Sequence, residues 1–470
     1  MTLIHYAPRV GLALALVLLA ACASQPPDHG EQQARAVLLG RGLDITNLPQ
    51  DAFRGLLPRQ QAVRAAILHH PSIRAEYARL DIAAADVVRA SELLNPSLSL
   101  SWLDVRGGSN ELTVGLAQSV AAVMLRPARQ RIAAADYELA ALTLADALQQ
   151  LALTTESAWL ALVSAEQVLQ VQIRATDAAL WADELGTRFT AAGNMTPLQR
   201  AELARDAAHA KLALLDAERT RDLAHSRLEQ QLALPHDDWR VPASLPLPAP
   251  VDPDQDQLLT LVWTDHPALQ RITWERQRLL SVGERDRKES WLDDSELGLE
   301  HERAGDERAT GPEFAIRLPL WHRNAGTRLA IAAELALLDA REAELRTQLP
   351  RQLRQQLNEL STLRKSLEVR SRSLLPALAA EVQARQEGVN FMLDGVFNLL
   401  ASKQAELEAW RDQVTTLAEY WQQEVALAMT MGRAATPASE GVLDTSAIVP
   451  TASDQPARGQ QDMHHGRHHE

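Results

Sequence analysis

Hydrophobic residues recur at three- and four-residue steps over two very long stretches, a period that predicts helices. In residues 127–188, Leu144, Leu148, Leu151 and Leu162 mark one apolar stripe with small alanines between them. Residues 326–387 read the same way, and a returning helix follows each stretch, at 197–234 and 396–431. At 1.5 Å per residue each outgoing helix reaches on the order of 90 Å. Helices of that length are not stable alone in water, so each pair is predicted to pack as an antiparallel hairpin. Breaks are expected at 191–197 and 390–396. Pro350 and Pro376 are expected to kink or divide the second long helix.

Four shorter segments change to period two. Leu98, Leu100 and Trp102 alternate with Ser97, Ser99 and Ser101, and Leu112, Val114 and Leu116 alternate with Thr113, Gly115 and Ala117. Later, Leu297 and Leu299 alternate with Gly298, Glu300 and Glu302. Phe314, Ile316, Leu318 and Leu320 alternate with Ala315, Arg317 and Pro319. Turns are expected at Gly107-Gly108 and across 305–312. Apolar-out, polar-in alternation over roughly 9 to 11 residues suits a tilted membrane strand. It also suits a soluble, half-buried hairpin. The third segment is rich in charge, with Glu296, Glu300, His301 and Glu302. Four strands do not close a membrane barrel, where the smallest use about eight. Open edges in hydrocarbon leave backbone groups unsatisfied at several kcal/mol each, so closure would require more than one chain.

The pattern is written twice, with an offset of about 200 residues. His70-Pro71-Ser72-Ile73-Arg74 recurs as His266-Pro267-Ala268-Leu269-Gln270, and Arg131-Ile132-Ala133-Ala134-Ala135 as Arg328-Leu329-Ala330-Ile331-Ala332. The first repeat is assigned to 57–234, with a strand pair at 97–120 and a helical hairpin at 127–234. The second is assigned to 257–431, with a strand pair at 295–321 and a hairpin at 326–431. Between them, 235–256 is Pro-rich and reads as an extended connector. Residues 432–470 lose periodicity and read as a disordered, histidine-containing tail.

Composition narrows the partners. Aromatic residues are only 4%, as expected for long helices and coiled coils. The formal charge of −14 argues against nucleic acid, which needs a cationic face. Residues 1–21 have the layout of a signal peptide: Arg9, then an apolar run from Val10, then small residues. Leu19-Ala20-Ala21-Cys22 reads as a lipobox, with Cys22 the lipid-bearing first residue of the mature protein and 22–56 an extended segment behind it. Cys22 is the only cysteine, so no disulfide forms within one chain. Ser24, with no Asp beside the Cys, resembles lipoproteins destined for the outer membrane.

Taken together, the duplicated His-Pro start, Leu94-Asn95-Pro96-Ser97-Leu98-Ser99, and Gly311-Pro312-Glu313-Phe314 through Leu318-Pro319-Leu320-Trp321 resemble the TolC-like outer membrane efflux protein family, in its lipid-anchored branch. The resemblance spans about 57–431. It implies a mainly α fold with a small β part: long antiparallel α-helical hairpins forming a trimeric periplasmic α-barrel, and four strands per protomer in a shared twelve-stranded outer membrane β-barrel. It implies a homotrimer working as a passive exit duct with a periplasmic adaptor (membrane fusion) protein and an inner-membrane pump of RND type. The adaptor-contacting tips it implies are Arg188, Phe189, Gly193, Asn194, Thr196, Pro197 and Leu198, with Gly395, Val396, Asn398 and Leu399. Asp394 is the candidate for a carboxylate ring at the aperture.

No catalytic constellation is evident: no Gly-rich phosphate loop, no His-Glu-x-x-His pair and no nucleophile elbow. The chain is read as neither an enzyme nor a cofactor binder. His464, His465, His468 and His469 beside Asp462, Met463 and Glu470 form a weak candidate metal site. That cluster tilts the expected cargo toward heavy-metal ions, with drug or general solute efflux, or type I secretion, as the alternatives. A different class of protein also fits: a lipid-anchored periplasmic coiled-coil scaffold without a pore.

Overall fold

The computed structural model describes residues 55–104, 106, 110–233, 239–248, 254–292, 295–316 and 324–433. The predicted leader, Cys22 and the four tail histidines lie outside the described residues. Helices account for 78% of the described chain. The first half runs β1 (Gly55–Leu56), α1 (Arg59–His69), α2 (Pro71–Ser91), β2 (Ser97–Leu103), β3 (Glu111–Ser119), α3 (Val120–Ala191), α4 (Pro197–Leu232). After β4 (Trp239–Arg240), the second half repeats this order. It runs α5 (Gln255–Asp265), α6 (Pro267–Leu292), β5 (Glu296–Ala304), β6 (Glu307–Ala315), α7 (Ala325–Val369), a π-helical turn (Arg370–Leu374), α8 (Leu375–Asn390) and α9 (Val396–Met431).

The duplicated His-Pro is a helix start used twice. Pro71 occupies the first turn of α2, where a missing N–H loses no helical bond, and the His70 ring accepts from Ser72 N–H at 3.3 Å. His266 repeats the arrangement for α6, accepting from Ala268 N–H at 3.2 Å on Nδ1. Its Nε2 therefore carries the proton and donates to Thr430 O of α9 at 3.1 Å.

The 72-residue α3 is the spine, packed against α1, α2, α4, α6 and α9. Its Trp159, Leu160 and Val163 meet Leu228 and Leu232 of α4 and Val414, Leu417, Trp421 and Val425 of α9 in one core. A second core sets Ile73 and Leu80 of α2 on Leu144 and Leu148 of α3, and Ile272 and Leu279 of α6 lie on Leu338 of α7. The connector is strapped across the hairpins. Leu245 N–H donates to Gln167 Oε1 (3.0 Å), and Trp421 Nε1–H donates to Pro246 O (2.8 Å). Three pairs, Arg271–Asp146, Arg278–Asp136 and Arg131–Glu284, ladder α6 along α3, while Arg276 bridges to Asp339 and Glu342 of α7. Each pair is partly exposed and individually weak, so their role is to fix register.

Three expectations need correction. The long helix begins at Val120 instead of 127, with Pro127 inside it. β3 runs straight into α3, and Ser119 ends the strand and caps the helix by accepting from Ala122 N–H at 3.2 Å. The turn of the second strand pair is Gly305-Asp306, not 305–312. Gly305 has φ +63, which glycine adopts freely at a two-residue hairpin turn. Residues 307–312 therefore belong to β6. Finally, Pro350 does not divide the helix, whereas the division expected of Pro376 is present, after the π-helical turn.

Candidate functional site: an open sheet and two hairpin tips

All four strands join one antiparallel sheet in the order β2-β3-β5-β6. The β3–β5 pairing, from Glu111↔Ala304 to Ser119↔Glu296, joins the two halves. Within the described chain β2 and β6 have no outer neighbour, so both sheet edges are open.

The register sorts the side chains into two faces. One face carries the rows Leu98–Leu116–Leu299–Pro312 and Leu100–Val114–His301–Thr310. These apolar side chains are exposed: Leu98 74%, Leu100 71%, Trp102 63%, Leu116 52%, Leu299 56% and Phe314 62%. The opposite face carries Ser99–Gly115–Glu300–Gly311 and Ser101–Thr113–Glu302–Ala309, with Glu111, Glu307 and Glu313 also on it. Glu300 and Glu302 thus stay off the apolar face. His301 stays on it, hydrogen-bonded to Thr310 Oγ1 at 2.7 Å. Among the described residues no helix is long and apolar enough to cross a membrane.

The far ends of the hairpins form the second feature. At the first tip α3 stops at Ala191 and α4 resumes at Pro197. Gly193 takes φ +77, and Asn194 N–H donates back to Phe189 O at 2.8 Å. Thr196 and Gln199 form a reciprocal capping box, with Pro197 in the first turn and Leu198 70% exposed. Arg188 pairs with Glu184 one turn earlier at 3.0 Å.

At the second tip Gly395 is the N-cap of α9, and Val396, Asn398 and Leu399 lie in its first turn. Phe189 and Phe397 meet edge to face with centroids 5.5 Å apart, so the two tips stand side by side. Asp394 turns back onto its own tip, where Gly395 N–H and Asn398 Nδ2 both donate to Oδ1 at 2.7 Å. Arg385 donates to Oδ2 at 3.1 Å. The Asn398 amide, then the Gly395 N–H and the Arg385 guanidinium, hold the Asp394 carboxyl below its usual range. Within one protomer, then, this carboxylate is fully engaged.

Sequence reasoning missed Phe391, Met392 and Leu393, which are 75%, 94% and 84% exposed at this tip, with Met392 at φ +58. Three apolar residues in a helix–helix turn were the available signal. Among the described residues no group of three His, Cys, Asp or Glu side chains is placed to hold a metal.

No family model and no curated protein sequence matches this chain. Solved structures do, and the fold they share with this chain is that of the TolC-like outer membrane channels. The Campylobacter jejuni CmeC outer membrane channel superposes with a TM-score of 0.63 at 13% identity, covering 80% of this chain and 85% of that one. A structure of CusC, whose study concerns folding and transmembrane channel formation, gives 0.62 at 12% identity over 88% and 100%. The Vibrio cholerae outer membrane protein VceC gives 0.61 at 14% identity over 80% and 96%.

Proposed function

We propose that this chain is one protomer of a homotrimeric outer membrane exit duct in a tripartite efflux pump, passively conducting cargo from periplasm to exterior. The observation that carries the reading is the four-stranded sheet with an exposed apolar face and two open edges. In water such a sheet invites aggregation, and in lipid its unpaired edges are costly. Pairing β6 of one copy with β2 of the next removes both edges. Three copies contribute twelve strands, above the minimum for a closed barrel. The helices all leave the sheet at the end opposite the strand turns. The hairpins then hang into the periplasm and the turns face the exterior.

The remaining assignments rest on this one. Cys22 carries the lipid that anchors the protein in the outer membrane. The tip residues Arg188, Phe189, Gly193, Asn194, Thr196, Pro197, Leu198, Gly395, Val396, Asn398 and Leu399 contact a periplasmic adaptor, which couples the duct to an inner-membrane pump of RND type. Asp394 narrows the aperture only if assembly exchanges the bonds to its own tip. The polar face of the sheet becomes the lumen, and its glutamates (111, 300, 302, 307 and 313) favour cations. That charge supports heavy-metal ions as cargo over drugs, other solutes or a secreted protein. The chain performs no chemistry on its cargo.

Conductance of the purified trimer across a planar bilayer under a salt gradient tests the proposal. The expected result is a steady current with cations favoured over anions. Silence from a verified trimer, or a fully folded monomer in detergent, overturns it in favour of the scaffold.

A further inference from the structure

The outermost row of the apolar face departs from the rows beneath it. It reads Trp102–Leu112–Arg303–Arg308, the last row on this face before the strand turns. Arg303 and Arg308 are directly opposite each other on β5 and β6. Cross-strand partners stand about 5 Å apart at Cβ, and like charges in that position repel. Among the described residues neither guanidinium forms an ion pair; the one bond of Arg303 goes to Gly305 O at 3.4 Å. Asp104 and Asp306 stand at this end beyond the strands, and among the described residues neither forms an ion pair with these arginines. Glu111 and Glu307 belong to the neighbouring row with Leu103 and Ala304, on the polar face.

Two unpaired guanidiniums side by side on a lipid-facing surface call for an anion that binds both. We propose that Arg303 and Arg308 clamp a phosphate group of an outer-leaflet lipid. This rests on the outer membrane reading above, because the row lies at headgroup depth only if the sheet crosses the bilayer turns outward. Arg303 lies about 24 Å along the strand from Glu296, at the helix end. At a strand tilt of about 35–45° that is roughly 17–20 Å of height, within the roughly 25 Å apolar band of an outer membrane barrel, and the long arginine stems reach on toward the headgroups. Trp102 in the same row is an aromatic residue of the type that sits at the membrane interface. Guanidinium pairs suit phosphate because their planar N–H forks bind its oxygens bidentately. Neutralising the pair also relieves the cross-strand repulsion, so the bound lipid steadies the β5–β6 turn.

The test uses the intact trimer in neutral phosphatidylcholine vesicles doped with diphosphoryl lipid A, or with the same lipid stripped of its phosphates. Lipid retained by the extracted protein is counted by native mass spectrometry. The expected result is an enrichment of the phosphorylated form by roughly tenfold, the scale of a charge-assisted clamp. The R303A/R308A variant should lose most of that enrichment, while R303K/R308K keeps part of it. Equal retention of the two lipids by the unsubstituted protein overturns the proposal without recourse to any variant. So does displacement by millimolar inorganic phosphate alone, which would reassign the site to a free anion. Trimer formation and conductance are measured on the same samples. Their loss in the unsubstituted protein defeats the duct reading, whereas their survival without lipid enrichment defeats only the clamp.

Discussion

Leu116 sits at the middle of the apolar face, flanked by Leu98 on β2 and Leu299 on β5. It is 52% exposed in the single chain. Were the sheet to face water, Leu116→Arg would move stability by no more than about 0.5 kcal/mol, as exposed substitutions do. A lipid-facing arginine near the bilayer midplane instead costs about 2–4 kcal/mol. In the proposed trimer three copies would together cost about 6–12 kcal/mol by the same scale. Thr113→Arg is the matched control, because Thr113 lies on the opposite face beside Glu302. Folding into lipid vesicles is followed by urea titration, and trimer yield by electrophoresis of unheated samples. Leu116→Arg should nearly abolish insertion while Thr113→Arg stays close to the parent. If the two variants insert equally well, the face is not a lipid face and the barrel argument fails.

Three further outcomes are expected. Gly432→Ala should lower the urea midpoint, because its Cβ would run into the Pro267 ring at a residue with φ +67. Strain and overpacking of this kind cost about 1–3 kcal/mol. Protection of the second tip against hydrogen exchange should persist at pH 5. The Asp394 pKa is depressed in the folded state, so its contribution is present above the unfolded value and is lost as pH falls through the folded one. Loss of protection already near neutral pH would contradict that network. Cys22→Ser should abolish incorporation of labelled palmitate and release the protein from lipid-anchor processing; labelling that persists would remove the lipobox reading.

The helical part of this fold was open to reading because its punctuation is local. Gly193, Thr196 and Pro197 mark the first tip, and Asn390 and Gly395 flank the second, so the breaks at 191–197 and 390–396 match the helix ends. Residues 307–312 were misread because periodicity and pairing disagree there. The stronger alternation begins at Phe314, yet β6 is placed by its ladder with β5, from Ala304↔Glu307 to Glu296↔Ala315. Gly311 and Pro312 look like turn residues, but a proline is tolerated on a strand at the sheet edge. The His-Pro repeat was visible as a repeat, whereas its capping role needed the ring geometry of His70 and His266. The placement of Glu300 and Glu302 on the face opposite Leu297 and Leu299 was legible as alternation, whereas the rows they join across the sheet depend on partners far along the chain.

The two hairpins are built with unequal stiffness, and that inequality bears on where a duct of this kind yields. β3 enters α3 without a loop, and Val120 N–H donates to Ser295 O at 2.9 Å beneath the second strand pair. The sheet and the 72-residue α3 therefore move as one body. The second hairpin is interrupted within its outgoing helix. Its outgoing helix changes to a π-helical turn at Arg370–Leu374 and resumes with Pro376 in its first turn, so its i→i−4 bonding is interrupted. Leu367 and Leu375 are buried on either side of the turn, but none of its own residues is, and Arg370 reaches Asp412 of α9 at 3.5 Å. Displacing the second tip bends a helix that is already broken, whereas displacing the first bends an intact one. On the proposed duct reading, a rearrangement that opens the periplasmic end without disturbing the sheet is thus easiest through α8 and the first turns of α9, the segment that carries Asp394 and the exposed Phe391, Met392 and Leu393.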